Sequence, residues 1–148
     1  MMQNFILPCL YALVACTGFW IVSNIPKKAI FPAAFGGALG WCAYLLCGGA
    51  HSDIFQYFAA ALVISVYSEI MARVHKSPVT LYLICSLLPL VPGGGIYYTM
   101  EYCINGNTDA FLQTGLHTMA IAGVLALGIL LVSSIVRLWN IIHLSRTK

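Results

Sequence analysis

Apolar residues run along this chain in long blocks, separated by short polar stretches and not alternating with them. Five blocks stand out: Phe5 to Ser23, Ala29 to Cys47, Asp53 to Arg73, Val79 to Cys103 and Phe111 to Trp139. A helix that crosses a bilayer needs about 20 mostly apolar residues. Each block meets or approaches that length, and the last could cross with tilt or run on along the surface. The connections are short: Asn24 to Lys28, Gly48 to Ser52, Val74 to Pro78 and Ile104 to Ala110. They leave no room for a soluble domain. The pattern predicts an all-α integral membrane protein, a single transmembrane domain over residues 1–148 with about five spans.

The fourth block contains its own interruption, Pro89-Leu-Val-Pro92-Gly93-Gly94-Gly95-Ile-Tyr97-Tyr98-Thr99-Met100. Proline lacks a backbone N–H, and its ring clashes with the carbonyl one turn earlier. Each glycine costs about 1 kcal/mol in a helix interior relative to alanine. The fourth span is therefore expected to break at Pro89–Gly95, close to the middle of its apolar run. Unwound backbone in hydrocarbon strands polar groups, so such a break is tolerated only where it is buried in protein or lines a watery cavity. A helix restarting there would present free N–H groups and a partial positive charge, on which a carboxylate can dock. Tyr97, Tyr98 and Thr99 follow, with hydroxyls that could reach the rest of a small ligand. The plainer reading is a kink with glycines that let a neighbouring helix approach.

Composition strengthens the membrane assignment. Hydrophobic residues make up 61% of the chain and charged ones 7%, with a mean hydropathy of +0.91. A soluble domain carries about 25% charged residues. The net charge of +3 is too small and dispersed to suggest nucleic acid. The seven Lys and Arg residues sort by connection: Lys27 and Lys28 after the first block, Arg73 and Lys76 after the third, and Arg137, Arg146 and Lys148 at the C-terminal end. Because basic residues are retained in the cytoplasm, the N-terminus is expected outside and the C-terminus inside. Leu13-Val14-Ala15-Cys16 resembles a lipoprotein cleavage box, but Met1 to Asn4 lack the positive charge that a signal requires. The first block is therefore expected to stay as a span.

Chemistry is sparse. The six cysteines, Cys9, Cys16, Cys42, Cys47, Cys85 and Cys103, form no C-x-x-C pair and have no histidines at ligand spacing. They read as packing residues, and neither a metal nor a cofactor is implied. His117 lies inside the fifth block and could titrate or hydrogen-bond across helices, the plainer reading being a satisfied structural histidine. No hydrolase or transferase constellation and no phosphate loop is present, so an enzyme is not expected. The third block carries Ser65, Ser68, Glu69 and Arg73. Positions 65, 69 and 73 share one helical face. An acid inside a span marks a pathway or proton relay by default. A local Glu69–Arg73 ion pair, with Arg73 reaching to the interface, is the alternative. Gly36, Gly37 and Gly40 form a small-residue strip that could serve a partner or an oligomer.

Ser65-Val-Tyr-Ser68-Glu69-Ile-Met-Ala-Arg73, the Pro89 to Met100 stretch and Gly36-Gly-Ala-Leu-Gly40-Trp41 together resemble the threonine/serine exporter family. The resemblance is to its C-terminal half, which also occurs as a separate small membrane subunit, and covers roughly residues 8 to 135. It implies a secondary exporter in the bacterial cytoplasmic membrane that works with a second membrane subunit corresponding to the missing N-terminal half. Related two-subunit systems are associated with succinate, so the implied solute is a threonine- or serine-like amino acid or a dicarboxylate. The broken segment and the Ser65–Arg73 cluster would form the path, with Glu69 carrying a proton. A non-transporting assembly subunit is the competing expectation.

Overall fold

The computed structural model describes the backbone of residues 2–23, 30–49 and 52–146, and the side chains of 8–19, 31–48 and 52–142. The chain is all-helical, with no strand among the described residues. Six α-helices follow one another: α1 Met2–Ser23, α2 Ile30–Leu46, α3 Asp53–His75, α4 Val79–Leu87, α5 Gly93–Ile104 and α6 Thr108–Arg146. Short 3₁₀ turns, Cys47–Gly49 and Leu88–Leu90, follow α2 and α4. The first three apolar blocks became α1 to α3, the fourth became α4 plus α5, and the fifth became α6. The connection holding Lys27 and Lys28, and residues His51 and Lys148, lie outside the described residues.

Two helices, Asp53–His75 and Thr108–Ile142, are long and apolar enough to cross a membrane, and the bent pair Val79–Leu90 with Gly93–Ile104 makes up to three spans. The apolar stretches Pro8–Phe19 and Phe31–Leu46 are shorter. Membrane-spanning character thus follows from α3 and α6 alone. Helix α6 has 39 residues, more than a bilayer core requires at about 1.5 Å per residue.

Helix ends follow local chemistry. α3 closes on Lys76 in the left-handed conformation, φ 50° and ψ 43°. There the Ser77 N–H donates to the Ala72 carbonyl at 3.0 Å, and Pro78 prevents further winding. Between α5 and α6 the chain reverses at Gly106, whose φ of +70° suits glycine best. The Asn107 side-chain oxygen then accepts the Ala110 N–H at 3.2 Å and caps α6.

The break in the fourth block is narrower than the sequence suggested. Helix α4 tightens into the Leu88–Leu90 turn, Val91 is extended, and Pro92 adopts φ −76° and ψ 58°. The Gly93 N–H donates to the Val91 carbonyl at 2.7 Å, an inverse γ-turn centred on Pro92. The axis bends by 53°. Gly93, Gly94 and Gly95 are not unwound, contrary to expectation: they are the first turn of α5. The reason is positional. The opening turn of a helix needs no acceptor one turn earlier, so proline just before it and glycine within it do little damage.

The packed centre lies where α2, α3, α4 and α6 meet. One cluster joins Ala60, Ala61 and Ile64 of α3 to Leu90 of the 3₁₀ turn and to Ile121 and Leu125 of α6. A second joins Ala33, Ala72, Tyr82 and Cys85. Small residues set the spacing. A Cβ on Gly36 would collide with the Ser86 hydroxyl and Tyr67, one on Gly37 with the Cys16 sulfur, and one on Gly40 with Ile64. The glycine strip of α2 is therefore spent inside the chain, against α1, α3 and α4, and is not the free docking surface that its spacing suggested. A Cβ on Gly128 of α6 would stand 2.7 Å from the Ala61 Cβ, which marks the α3–α6 crossing. Cys16 is buried here and donates its S–H to the Cys85 carbonyl at 3.1 Å, a packing use of both residues.

Candidate functional site

The two halves of the broken segment have opposite surroundings. Pro89 and Leu90 sit in the bundle, with Leu90 1% exposed and Pro89 beside Gly37. Past Pro92 the chain leaves the core, and α5 has no buried residue. It leans on α6 through Gly95, where an added Cβ would strike the Thr118 hydroxyl. The Thr99 methyl meets Gly115 from the other direction.

At the restart, the Gly93 N–H is held by Val91 and the Ile96 N–H donates to the Pro92 carbonyl at 3.1 Å. The donors left over are those of Gly94 and Gly95, because the first N–H groups of a helix have no intrahelical acceptor. Nothing lies within 4 Å of where a Cβ would stand on Gly93 or Gly94. Gly94 thus stands clear of other side chains at the positive end of a helix dipole, whereas Gly95 is packed against Thr118.

The hydroxyls expected beside them are dispersed. Thr99 donates its hydroxyl to the Gly95 carbonyl at 2.7 Å. Tyr97 and Tyr98 are exposed and stand edge to face at 5.4 Å. Tyr97 lines a shallow cleft with Met100, Glu101, Ile104 and Asn105. An apolar groove of about 400 Å³ between α5 and α6 runs along Ile96, Thr99, Met100, Phe111, Leu112 and Thr118.

The third-block cluster divides in the same way. Ser65 and Ser68 are buried and donate to the carbonyls of Ala61 and Ile64, each at 2.7 Å. Such back-bonding satisfies a serine hydroxyl within its own helix. Glu69 and Arg73 instead line a cleft of about 260 Å³ with Val66, Ile70, Ile135, Val136 and Trp139. The expected Glu69–Arg73 ion pair is not formed. Arg73 Nη2 donates to Asn140 Oδ1 of α6 at 3.0 Å, and the one ion pair among the described residues is elsewhere. The guanidinium fork reaches across to the neighbouring helix, where a neutral acceptor is at hand, leaving Glu69 to the cleft. The serines therefore do not share a cavity with Glu69, and neither lines the α5–α6 groove.

That ion pair joins His117 Nε2 of α6 to Asp53 Oδ2 at the start of α3, at 3.2 Å. The Tyr44 hydroxyl of α2 donates to the other carboxylate oxygen at 2.7 Å. His117 thus does have a partner across helices. Nothing in the sequence points to this trio, because positions 44, 53 and 117 carry no common spacing.

A family model described as "Threonine/Serine exporter, ThrE" matches residues 8–135. The chain belongs to the threonine/serine exporter family. No curated protein and no solved structure matches it. This is a family of transporters and not of enzymes. The match includes the glycine strip of α2, the break and Glu69, and stops within α6.

Proposed function

We propose that this chain is a subunit of a secondary exporter that moves a small carboxylate-bearing solute, a threonine- or serine-like amino acid or a dicarboxylate such as succinate. In this reading the whole chain is one transmembrane domain of the bacterial cytoplasmic membrane, with α1 and α2 completing five crossings, the N-terminus outside and the C-terminus inside. A second membrane subunit, corresponding to the family's other half, covers the exposed flank of α5. The observation that carries the reading is the open N-terminus of α5. The Gly94 and Gly95 donors have no acceptor within the helix, and Gly94 stands clear of neighbours halfway along an apolar segment, where a carboxylate could replace the missing acceptors. Pro89 and Pro92 fix the bend, Gly93 closes the turn on Val91, Gly94 and Gly95 supply the donors, and Tyr97 and Tyr98 border the approach. Alternating exposure would come from movement of α5 and α6 against the bundle that holds Ser65 and Ser68. Glu69, free of Arg73 and open to the α3–α6 cleft, is available to carry a proton.

The test is efflux of labelled serine, threonine and succinate from cells carrying this chain with its partner subunit. Gly94→Leu fills the open space without touching a neighbour. The reading requires efflux to fall while membrane abundance and assembly stay normal, and the solute that exits fastest names the substrate class. A second reading, a non-transporting assembly subunit, is favoured by the contact of Gly95 with Thr118, since that glycine has a packing use. It would be preferred if Gly94→Leu left efflux intact, or lowered it only by loss of assembly. Placement of the C-terminus is tested separately: a reporter fused after Lys148 that is active only outside the cytoplasm would overturn the orientation.

A further inference from the structure

We infer that Asp53 and His117 form a proton-binding site that couples export to a proton gradient. The inference rests on the exporter reading above and adds a second protonatable locus, near the end of α3 opposite Glu69.

The site is built from three helices, α2, α3 and α6. Asp53 lies in the first turn of α3, where the helix dipole favours a carboxylate. Both of its oxygens are engaged: Oδ1 accepts the Tyr44 hydroxyl at 2.7 Å, and Oδ2 meets His117 Nε2 at 3.2 Å. The ring of Tyr44 is wedged between Trp41 and Tyr57, with centroids 5.2 and 4.8 Å away. The carboxylate is thus held in place, while solvent still reaches the pair: the side chains of His117 and Asp53 are 50% and 42% exposed. The Trp41 Nε1 donor is buried without an acceptor, a feature that a bound water would resolve.

Among the described residues neither Lys nor Arg comes within ion-pair distance of Asp53. Tyr44 faces the pair from α2 and Tyr57 lies behind it on α3. On α6, Gln113 and Asp109 stand one and two turns before His117 on the same face. A proton reaching His117 converts a hydrogen bond between a neutral imidazole and the Asp53 carboxylate into an imidazolium–carboxylate pair, and its departure reverses the change.

What the proton would move is also on the chain. Thr118, the next residue, is the contact point for Gly95 at the start of α5. Helix α5 has no buried residue and packs on α6. Tightening or loosening α6 against α3 at His117 thus shifts the support of the glycine donors directly. The proton enters and leaves as H⁺ from solution, and no other reactant is needed.

The experiment compares two modes of transport for the chain with its partner subunit in proteoliposomes: net efflux driven by an imposed pH gradient, and solute exchange with no gradient. Asp53→Asn and His117→Gln are set against wild type and against Glu69→Gln. The expected result is that both site variants lose gradient-driven net efflux by about tenfold or more while exchange continues. Wild-type response to the gradient in both variants overturns the inference, as does equal loss of net efflux and exchange at normal abundance, which indicates a structural contact. Should either variant fail to accumulate, histidine NMR of the wild-type protein decides. Titration of His117 that shifts with bound solute supports coupling, and titration indifferent to solute overturns it. If wild type moves no solute in either mode, the exporter reading itself has failed, an outcome distinct from these.

Discussion

Helix α4 and helix α5 come from one apolar stretch of the sequence, yet they live in different environments. α4 and its 3₁₀ turn are pressed into the bundle: Tyr82, Cys85, Ser86 and Leu90 are buried, and the turn rests on the glycines of α2. α5 contributes no buried residue and exposes Ile96, Tyr97, Tyr98, Met100 and Ile104. The difference between the halves is the 53° bend at Pro92. Before it, side chains interlock with three other helices. After it, backbone donors and aromatic rings face outward. One half therefore fixes the break in space, and the other is left able to meet a solute or a second subunit. A rigid anchor joined to a free half-helix is an economical way to hold a helix terminus inside a membrane.

The strongest test sets glycines on either side of the bend against each other. Gly40→Leu would drive a side chain into Ile64 and Leu90. Overpacking a filled core costs about 1–3 kcal/mol and at times more. The folded fraction in membranes should fall severalfold, read as abundance and as resistance to unfolding in mixed micelles. Gly94→Leu should leave both unchanged, since nothing lies within 4 Å of its Cβ position. It should instead lower efflux by about tenfold, the size of effect expected from losing roughly 1.4 kcal/mol of anion binding. If Gly94→Leu lowers abundance as much as Gly40→Leu, the two halves are equally structural and the contrast fails.

How much of this was legible beforehand depends on whether a feature is local. The helical segments followed from block lengths, because apolar runs of this kind have one stable form in lipid. The ends at Ser23, Asp53 and Val79 agree with the sequence boundaries. The break was visible because proline and glycine act within a turn of where they stand. Its extent was not: whether Gly93 to Gly95 unwind or wind depends on the Pro92 turn that precedes them. The direction of the α2 glycine strip was also hidden. Small residues state that something comes close, and only tertiary packing reveals that Ser86, Cys16 and Ile64 do so. The same limit concealed Asp53–His117, a contact between positions 64 apart, and turned Arg73 from Glu69 toward Asn140.

A second prediction trims the apolar side chains of the two halves. Leu90 is 1% exposed and Ile104 is 85% exposed. Leu90→Ala opens a cavity between α2, α3 and α6, and should destabilise the fold by about 2–5 kcal/mol. Ile104→Ala removes a side chain that touches little of this chain, and should change intrinsic stability by less than about 0.5 kcal/mol. Detergent-solubilised protein alone is the right sample for unfolding. With the proposed partner subunit present the Ile104 variant has a second use: weakened co-purification would indicate that a partner covers the outward face of α5. Equal stability losses for the two variants would mean that α5 packs more firmly than its exposure indicates.

The smallest effect concerns the one point where α5 is tied down. Gly95→Ala places a methyl group against Thr118, whose hydroxyl is already committed to the Thr114 carbonyl at 2.7 Å and cannot swing away freely. The helix must then lift from α6 or Thr118 must change rotamer. Thr118→Ala clears that space at the loss of one back-bonded hydroxyl. Residues in direct contact show non-additive energies, so the double variant should recover about 1 kcal/mol relative to the sum of the two single changes. Strict additivity would mean that Gly95 does not bear on Thr118 and that α5 is held by something other than α6. A recovered double variant that also regains efflux would join the two observations. The position of the Gly94 and Gly95 donors, and not the identity of residue 95, would then be what α6 controls.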